Sequence, residues 1–352
     1  MESRFRDLVY GVALTLMIGW LLVIGRSLFV PVVTAILIVY IITGLSRMLA
    51  RMPLLGPRLS ENASHVIAVV VIALIAVEVG ALLVANLGVI AARAPAHQQA
   101  LLNAIQQAAA SLGLEREPTW QTLRADVLGE IDLQRVIRTA AASTSSLLGA
   151  QLFVLLNVAF LLLERKVMVE KVVRLTDNPA QAARTRAVIE DINRRVGRYL
   201  AVQTLLSILV GVLSWAIMAW MGLEFATLWA LVIALFNYIP YVGTIIGIVF
   251  PVAMAVAQFG DLNTVLLLLA ALGAVQFVVG NILSPQVMGN SLNLSPWVIL
   301  ISLTVWASLW GVAGAVFSVP ITAIMVVVFA EFDRTRPLAV LMSQNGQITR
   351  SG

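Results

Sequence analysis

One apolar stretch decides the fold, and it reads Phe225-Ala-Thr-Leu-Trp-Ala-Leu-Val-Ile-Ala-Leu-Phe-Asn-Tyr-Ile-Pro-Tyr-Val-Gly243 before it resumes to Ala257. A second stretch is built in the same way: it runs from Trp297 to Trp310, is interrupted by Gly-Val-Ala-Gly, and continues to Ala330. An unbroken helix of either length would measure roughly 50 Å, whereas the hydrocarbon core of a bilayer is about 30 Å thick. Each stretch is therefore predicted to bend, to tilt or to turn back at its central Gly, Pro and polar residues.

The breakers sit near the centre of each stretch, which leaves two halves of about a dozen residues, or roughly 18 Å of helix. Such a half is long enough to enter the bilayer and return without crossing it. Bent backbone at membrane depth survives only where protein or a watery cavity satisfies its N–H and C=O groups. Broken helices therefore predict a transport site in the region from Phe225 to Pro320.

The composition excludes several classes of protein. Hydrophobic residues make up 60% and charged residues 12% of the chain, which indicates an integral membrane protein. The net charge of +5 comes from basic residues in short segments between helices rather than from a recognition face, so no nucleic-acid partner is predicted. Without cysteine, and with only His65 and His97, the chain offers no thiolate or imidazole-rich metal site. No nucleophile–base pair or phosphate loop is present, so we expect neither an enzyme nor a cofactor.

The hydropathy pattern predicts an all-α, polytopic bundle with about eight membrane segments, two of them broken or re-entrant. Residues 1–92 form opening helices, with spans at 8–25 and 28–45 joined in a tight hairpin and a third at 65–91. Residues 93–146 are amphipathic and charge-balanced, which favours an extracytoplasmic location. The remaining segments are a fourth span with a basic cytoplasmic segment (147–198), a transport core (199–332) and a cytoplasmic tail (333–352).

Charge asymmetry predicts the orientation of the chain. After the fourth span nine basic residues outnumber five acidic ones, which places this segment and both termini in the cytoplasm. The side of the link between Leu283 and Pro296 stays open, since it carries neither Lys nor Arg. If both broken stretches cross the bilayer, eight spans result and the link is outside. If both are re-entrant, six full spans remain and the link is inside.

Several motifs after Phe225 resemble those of a known family. They are Asn237-Tyr-Ile-Pro-Tyr-Val-Gly-Thr-Ile-Ile-Gly247, Gln276 with Asn281-Ile-Leu-Ser-Pro-Gln-Val-Met-Gly289, Leu294-Ser-Pro296, and Trp310-Gly-Val-Ala-Gly314 leading to Val319-Pro320. In these motifs and in its overall plan the chain resembles the autoinducer-2 exporter family of bacterial permeases. The resemblance implies a homo-oligomer of the inner membrane. Named members of the family export the quorum-sensing signal autoinducer-2, and others are described as sodium/proton antiporters.

The first break supplies the leading candidates for a substrate path, which are Asn237, Tyr238, Pro240, Tyr241 and Gly243. Helix ends at this position expose unpaired N–H and C=O groups, and Asn and Tyr add neutral hydrogen bonds suited to a small polar solute. The alternative is a proline kink whose polar groups only cap the broken helix. Further candidates are Gln276, Asn281, Ser284, Pro285, Gln286, Gly311, Gly314, Ser318 and Pro320. Helix packing and hydrogen bonds between helices are the alternative roles for these residues.

Glu78 is the acidic residue well inside a predicted span, and an intramembrane acid is expensive. It is therefore a candidate for proton or cation coupling, the alternative being a protonated structural residue. Three functions stay open: export of a small polar solute such as autoinducer-2, sodium (cation)/proton antiport, and a membrane scaffold that transports nothing. For the exporter, the two broken stretches are expected to enclose a neutral pocket and to move as a rigid body against the opening helices.

Overall fold

The computed structural model describes residues 2–50, 144–175, 178–288 and 292–348, together with a few positions between 67 and 106. The described helices are α1 (Glu2–Ile24), α2 (Arg26–Ala50), α3 (Thr144–Val173), α4 (Pro179–Trp220), α5 (Ala226–Phe236), α6 (Val242–Phe259), α7 (Leu262–Phe277), α8 (Ser284–Met288), α9 (Pro296–Glu331) and α10 (Arg336–Met342). A π-helical turn, Val278–Leu283, joins α7 to α8. Two compact units result: the first comprises residues 1–69, 150–202 and 290–352, and the second 70–149 and 203–289.

The predicted all-α membrane fold is confirmed. Within the described residues, five helical segments are long and apolar enough to cross a bilayer: α2, α4, α6, the continuous helix from α7 to α8, and α9. α4 has 42 residues and would measure roughly 63 Å, so its apolar second half is the part that fits a bilayer. The basic first half extends beyond the hydrocarbon, as the charge pattern predicts.

The first broken stretch, in the second unit, is an antiparallel helical hairpin of α5 and α6. Its register is visible in three contacts: Gly243 lies against the carbonyl of Phe236, Gly247 against Ile233, and the ring of Trp229 stacks on that of Phe250 with centroids 6.0 Å apart. The open end of the hairpin is the end where α5 begins and α6 ends. There the Gln258 side chain accepts from the N–H of Glu224 (2.7 Å) and donates to the carbonyl of Gly222 (2.8 Å). With 11 residues, α5 is only about 16 Å long and does not cross a bilayer.

The turn between α5 and α6 follows from its residues. Pro240 has no N–H and disfavours helical backbone at the residue before it, so α5 ends near Asn237. Tyr241 then adopts φ 63° and ψ −50°, and the N–H of Val242 donates to the carbonyl of Pro240 at 2.7 Å. This bond closes a γ-turn of the rare, strained type. Gly243 follows at the point where the chain passes the end of α5.

The second broken stretch, in the first unit, also reverses. Gly311 has φ 63° and ψ −139°, a backbone conformation that only glycine adopts readily. Gly314 lies against the carbonyl of Trp306, although residues eight apart in a straight helix are separated by about 12 Å. α9 is therefore two helices folded about Gly311, and both breaks lie at the predicted positions.

The junction of α1 and α2 differs from the predicted tight hairpin. Gly25 alone separates the two helices. The N–H of Gly25 donates to the carbonyl of Leu21, and the carbonyl of Gly25 accepts from the N–H of Phe29, so both hydrogen bonds keep the four-residue spacing of a helix. Most side chains of α1 from Val9 to Ile24 are exposed, so α1 does not pack along α2. A single residue between two helices leaves too little chain for a close antiparallel return.

Pro285 also departs from the sequence-based expectation, which put it in a link. The helix continues through it to Met288, with the π-helical turn immediately before. Proline cannot donate the next helical hydrogen bond, and an inserted π turn is a common way to accommodate the resulting irregularity.

Backbone hydrogen bonds tie the link before α9 to the carboxyl-terminal tail, both in the first unit. Ser295 donates to the carbonyl of Met342 (3.0 Å), and Gln344 donates to that of Asn293 (3.2 Å). At the end of α9, Glu331 accepts from Arg184 near the start of α4 (2.9 Å). Groups in hydrogen-bond contact lie on the same side of a bilayer that is about 30 Å thick. The link therefore shares a side with the tail and the basic segment, which favours two re-entrant stretches and six full spans.

Single cysteines test this topology, because the natural chain has none. We expect Gln286→Cys and Asn345→Cys, both at exposed positions, to react with a membrane-impermeant thiol reagent only after cells are permeabilised. Leu262→Cys, at the other end of the helix that leads to Gln286, is expected to react in intact cells. Labelling of Gln286→Cys in intact cells would contradict re-entrance of the two stretches.

Candidate functional site at the tip of the first hairpin

A buried hydrogen-bond network holds the tip of the α5–α6 hairpin against α4. The amide Nε2 of Gln203 donates to the main-chain carbonyl of Asn237 at 2.6 Å. The Nδ2 of Asn237 donates to the hydroxyl of Ser207 at 3.0 Å. Asn237 is thus bound through both its backbone and its side chain. Gln203 and Ser207 are both buried, whereas Asn237 is partly exposed, so the network runs from the interior of the second unit towards its surface.

Tyr238 adds a second connection to α4, since its hydroxyl and that of Thr204 are 2.6 Å apart. Sequence reasoning singled out Asn237 and Tyr238 but missed Gln203, Thr204 and Ser207. A signal existed: Gln203 and Ser207 are polar residues four apart in an apolar span, which puts them on one face of the helix. Their partner became visible only when the chain folded back.

Besides α4 and the α5–α6 hairpin, α7 also contributes a polar side chain to this region, that of Gln276. Its side chain is 5% exposed, and its Nε2 has no hydrogen-bond partner among the described residues. The same nitrogen is 3.0 Å from the position that a Cβ of Gly247 would occupy, so it lies directly against the hairpin. An unpaired buried amide costs about 1–3 kcal/mol. Gln276 therefore places an unpaired amide donor in the interior, next to Gly247 of the hairpin.

The part of the second unit from Gln203 to Gly289 carries almost no charge. The charged residues between Gln203 and Gly289 are Glu224 and Asp261, at the open end of the hairpin and directly after it. Hydrogen bonds from the side chain and backbone of Thr264 hold the pKa of Asp261 below its ordinary value, so this carboxylate stays ionised as the N-cap of α7. The tip itself offers only neutral donors and acceptors.

The other predicted path residues of the second unit are not joined to the tip by any described contact. Asn281 donates to the carbonyl of Phe277 in its own helix (3.3 Å), and the Ser284 hydroxyl is 3.7 Å from the sulfur of Met288. Pro285 and Gln286 are exposed on α8. Asn281 and Ser284 thus make local contacts, whereas Pro285 and Gln286 are exposed at the end of the α7–α8 helix.

The candidates of the first unit lie at the second break. Gly311 and Gly314 form its turn, and the hydroxyl of Ser318 donates to the carbonyl of Ala315 at 2.7 Å. Ser318 and Pro320 are fully buried, which fits close packing of the returning helix. Glu78 lies outside the described residues. Among the residues that are described, no group of three or more His, Cys, Asp or Glu side chains is arranged to hold a metal ion.

Comparison with known proteins identifies the family to which these features belong. The profile of the AI-2E family transporters matches residues 11–334, which include both hairpins and the network at Asn237. The chain belongs to the AI-2E transporter family. Its described helices are those of a multi-pass membrane transporter of this family, and the expected family resemblance is confirmed.

Named relatives in the AI-2E family are transport proteins. The chain is 29% identical to the "AI-2 transport protein TqsA" of Escherichia coli K12 over 352 residues, 95% of this chain and 96% of the relative. It is 34% identical over 221 residues to the "Putative transport protein YhhT" of the same strain, which covers 61% of this chain and 62% of that protein. A "Putative transport protein" of Borreliella burgdorferi is 32% identical over 211 residues, 60% of this chain and 57% of that protein.

Proposed function

We propose that this transporter exports a small, neutral, polar organic solute by alternating access, with autoinducer-2 as the specific candidate. The observation that carries this proposal is the network at the hairpin tip, where Gln203, Ser207 and Asn237 join the α5–α6 hairpin to α4 without a charged group. The relative named as an AI-2 transport protein supports the choice of candidate solute.

The chemistry of the tip favours hydroxyl and carbonyl groups as ligands. Amides and hydroxyls can both donate and accept, and the unpaired Nε2 of Gln276 adds a donor. A bound cation would instead require carboxylates or several converging carbonyl oxygens. The neutral tip therefore favours an uncharged solute over the sodium or proton of an antiporter, and a coupling role for Glu78 stays a prediction.

Re-entrant hairpins suit alternating access because they place irregular backbone at membrane depth beside a polar site. Asn237, Tyr238, Pro240, Tyr241 and Gly243 would form the moving boundary of the solute path, and Gln276 its inner wall. We place the protein in the bacterial inner membrane as a homo-oligomer with both termini in the cytoplasm, in agreement with the basic residues after the fourth span.

Transport by purified protein in lipid vesicles tests the proposal. Vesicles loaded with autoinducer-2 should release it at least tenfold faster with the protein than without. Asn237→Ala should reduce this rate by about tenfold or more, because it removes the bond to Ser207 and a solute contact, a loss on the scale of 1–3 kcal/mol. A thermal unfolding midpoint close to that of the wild type would show that the fold is intact.

Asn157→Ala is the matched control. Asn157 also lies in an apolar helix, but its Nδ2 donates to the carbonyl of Phe153 within α3. Its replacement should leave the release rate unchanged. Equal release with Asn237→Ala and Asn157→Ala would contradict the assignment of the tip as the solute site. Absence of release by the wild type, with autoinducer-2 and with small polyols, would overturn the proposed function as a whole.

A further inference from the structure

The first unit contains a large cavity, and none of the residues of the hairpin network lines it. Its volume is about 510 Å³, and it lies between α2, α3 and the first half of α4. This volume falls within the range of about 300–1,000 Å³ that is typical of small-molecule sites. One part of its wall is apolar, with Ile36, Leu161 and Ile189, and another part is charged. The cavity is therefore amphipathic.

The cavity lies at the depth of a bilayer interface on all three helices that form it. Its residues on α2, between Ile36 and Gly44, come just before Arg47, where the apolar run ends. On α3 they extend from Leu161 into the charged sequence that begins at Glu164. On α4 they lie between Arg186 and Gly197, directly before the apolar span. Three coincident boundaries between apolar and charged sequence mark the level of lipid headgroups.

The wall carries charges of both signs. Among the lining residues whose side chains the structure describes, Arg186 is the cation, whereas Glu164, Glu170 and Glu190 are carboxylates. Among the described residues, Arg186 and Glu190 form no ion pair, and they are four residues apart on one helix face. Glu164 is 3.8 Å from Lys171, but both side chains are more than half exposed, so this pair is weak.

We propose that this cavity binds an amine-bearing zwitterionic phospholipid, such as phosphatidylethanolamine, from the leaflet on the basic side. The guanidinium of Arg186 binds the phosphate, for which its planar set of N–H donors is suited. The carboxylates of Glu164, Glu170 and Glu190 bind the ammonium group. An acyl chain lies along Ile36 and Leu161.

The same charges select against the other common headgroups. A phosphatidylglycerol headgroup is anionic and would meet three carboxylates without bringing a cation to them. A phosphatidylcholine headgroup has no N–H to donate and is bulkier at the nitrogen. Phosphatidylethanolamine alone among the three matches both the Arg and the Glu side chains.

Native mass spectrometry of the full-length protein in detergent, titrated with each of the three lipids, tests this inference. We expect phosphatidylethanolamine to bind at least tenfold more tightly than phosphatidylglycerol or phosphatidylcholine and to raise the thermal unfolding midpoint. Arg186→Gln and Glu190→Gln should each reduce its affinity by about tenfold. Both side chains are exposed, so these variants should fold.

Arg198→Gln is the matched control, because Arg198 is exposed on the same helix but does not line the cavity. It should leave lipid affinity unchanged. Equal binding of the three lipids, or an unchanged affinity of Arg186→Gln, would overturn the proposal. Displacement of the lipid by soluble glycerophosphoethanolamine at comparable concentration would also overturn the proposal. The cavity would then bind a water-soluble phosphoethanolamine compound, and the acyl chains would contribute nothing.

Discussion

Replacement of Gly243 by Ala is expected to abolish transport and to lower the thermal unfolding midpoint by about 5 °C or more, which corresponds to roughly 3 kcal/mol or more of overpacking. A Cβ at this position would lie far closer than 3.0 Å to the main-chain carbonyl of Phe236. A carbonyl of the backbone cannot rotate away as a flexible side chain can. The end of α5 would have to separate from α6, and Asn237 would lose its position opposite Gln203 and Ser207.

Gly273→Ala is the control for this substitution. Gly273 lies within α7 in the same unit, and a Cβ there would meet no atom within 4 Å. Alanine inside a helix is favoured over glycine by roughly 0.5–1 kcal/mol, so the control should be as stable as the wild type or slightly more stable. A Gly243→Ala protein with the unfolding midpoint and the transport rate of the wild type would show that Gly243 does not lie against the carbonyl of Phe236.

Gly314→Ala should have a comparable effect at the second break. Its Cβ would collide with the carbonyl of Trp306 and would also approach the Cβ of Trp310 to 3.1 Å. Trp310 in turn donates from its indole nitrogen to the carbonyl of Leu22 at 3.0 Å. A displaced turn would break this bond to the α1–α2 junction. We expect a loss of about 3 kcal/mol or more in stability and a failure of transport.

Thermal unfolding and vesicle transport measure this second effect, with Gly19→Ala as the control in the same unit. Gly19 is in α1, and a Cβ there meets nothing within 4 Å. Full activity of Gly314→Ala would mean that the α9 reversal is not needed for function. If Gly314→Ala loses transport and Gly243→Ala does not, only the helix reversal in the first unit is needed for transport.

Both breaks could be predicted from sequence because they depend on local chemistry. Proline lacks an N–H, glycine permits positive φ and close approach, and neither property depends on the rest of the fold. The two breaks are built alike in one respect, since Gly243 and Gly314 each lie against the main-chain carbonyl of a preceding aromatic residue. The membrane class followed in the same direct way from composition.

The candidate site was predictable only in part. Asn237 and Tyr238 stood out because they are polar residues at a break. Gln203 and Ser207 did not, because their role requires a contact across 30 or more residues of chain. Asn281, Ser284 and Gln286 looked equally polar in sequence, yet their described surroundings are local or exposed. Polarity in a span marks a candidate, but only the partner reveals which candidates share a site.

By itself, the sequence determined that this is a helical membrane protein and where its two long apolar stretches are interrupted. Hydrophobic burial in lipid and the special backbones of Gly and Pro act locally, so they can be read residue by residue. The tertiary structure alone decided that each interruption is a reversal, and which helix receives the tip. It also showed that the uncharged link is hydrogen-bonded to the tail at Asn293. The sequence could not show this contact, because hydrogen bonds between distant segments leave no trace in local hydropathy or charge.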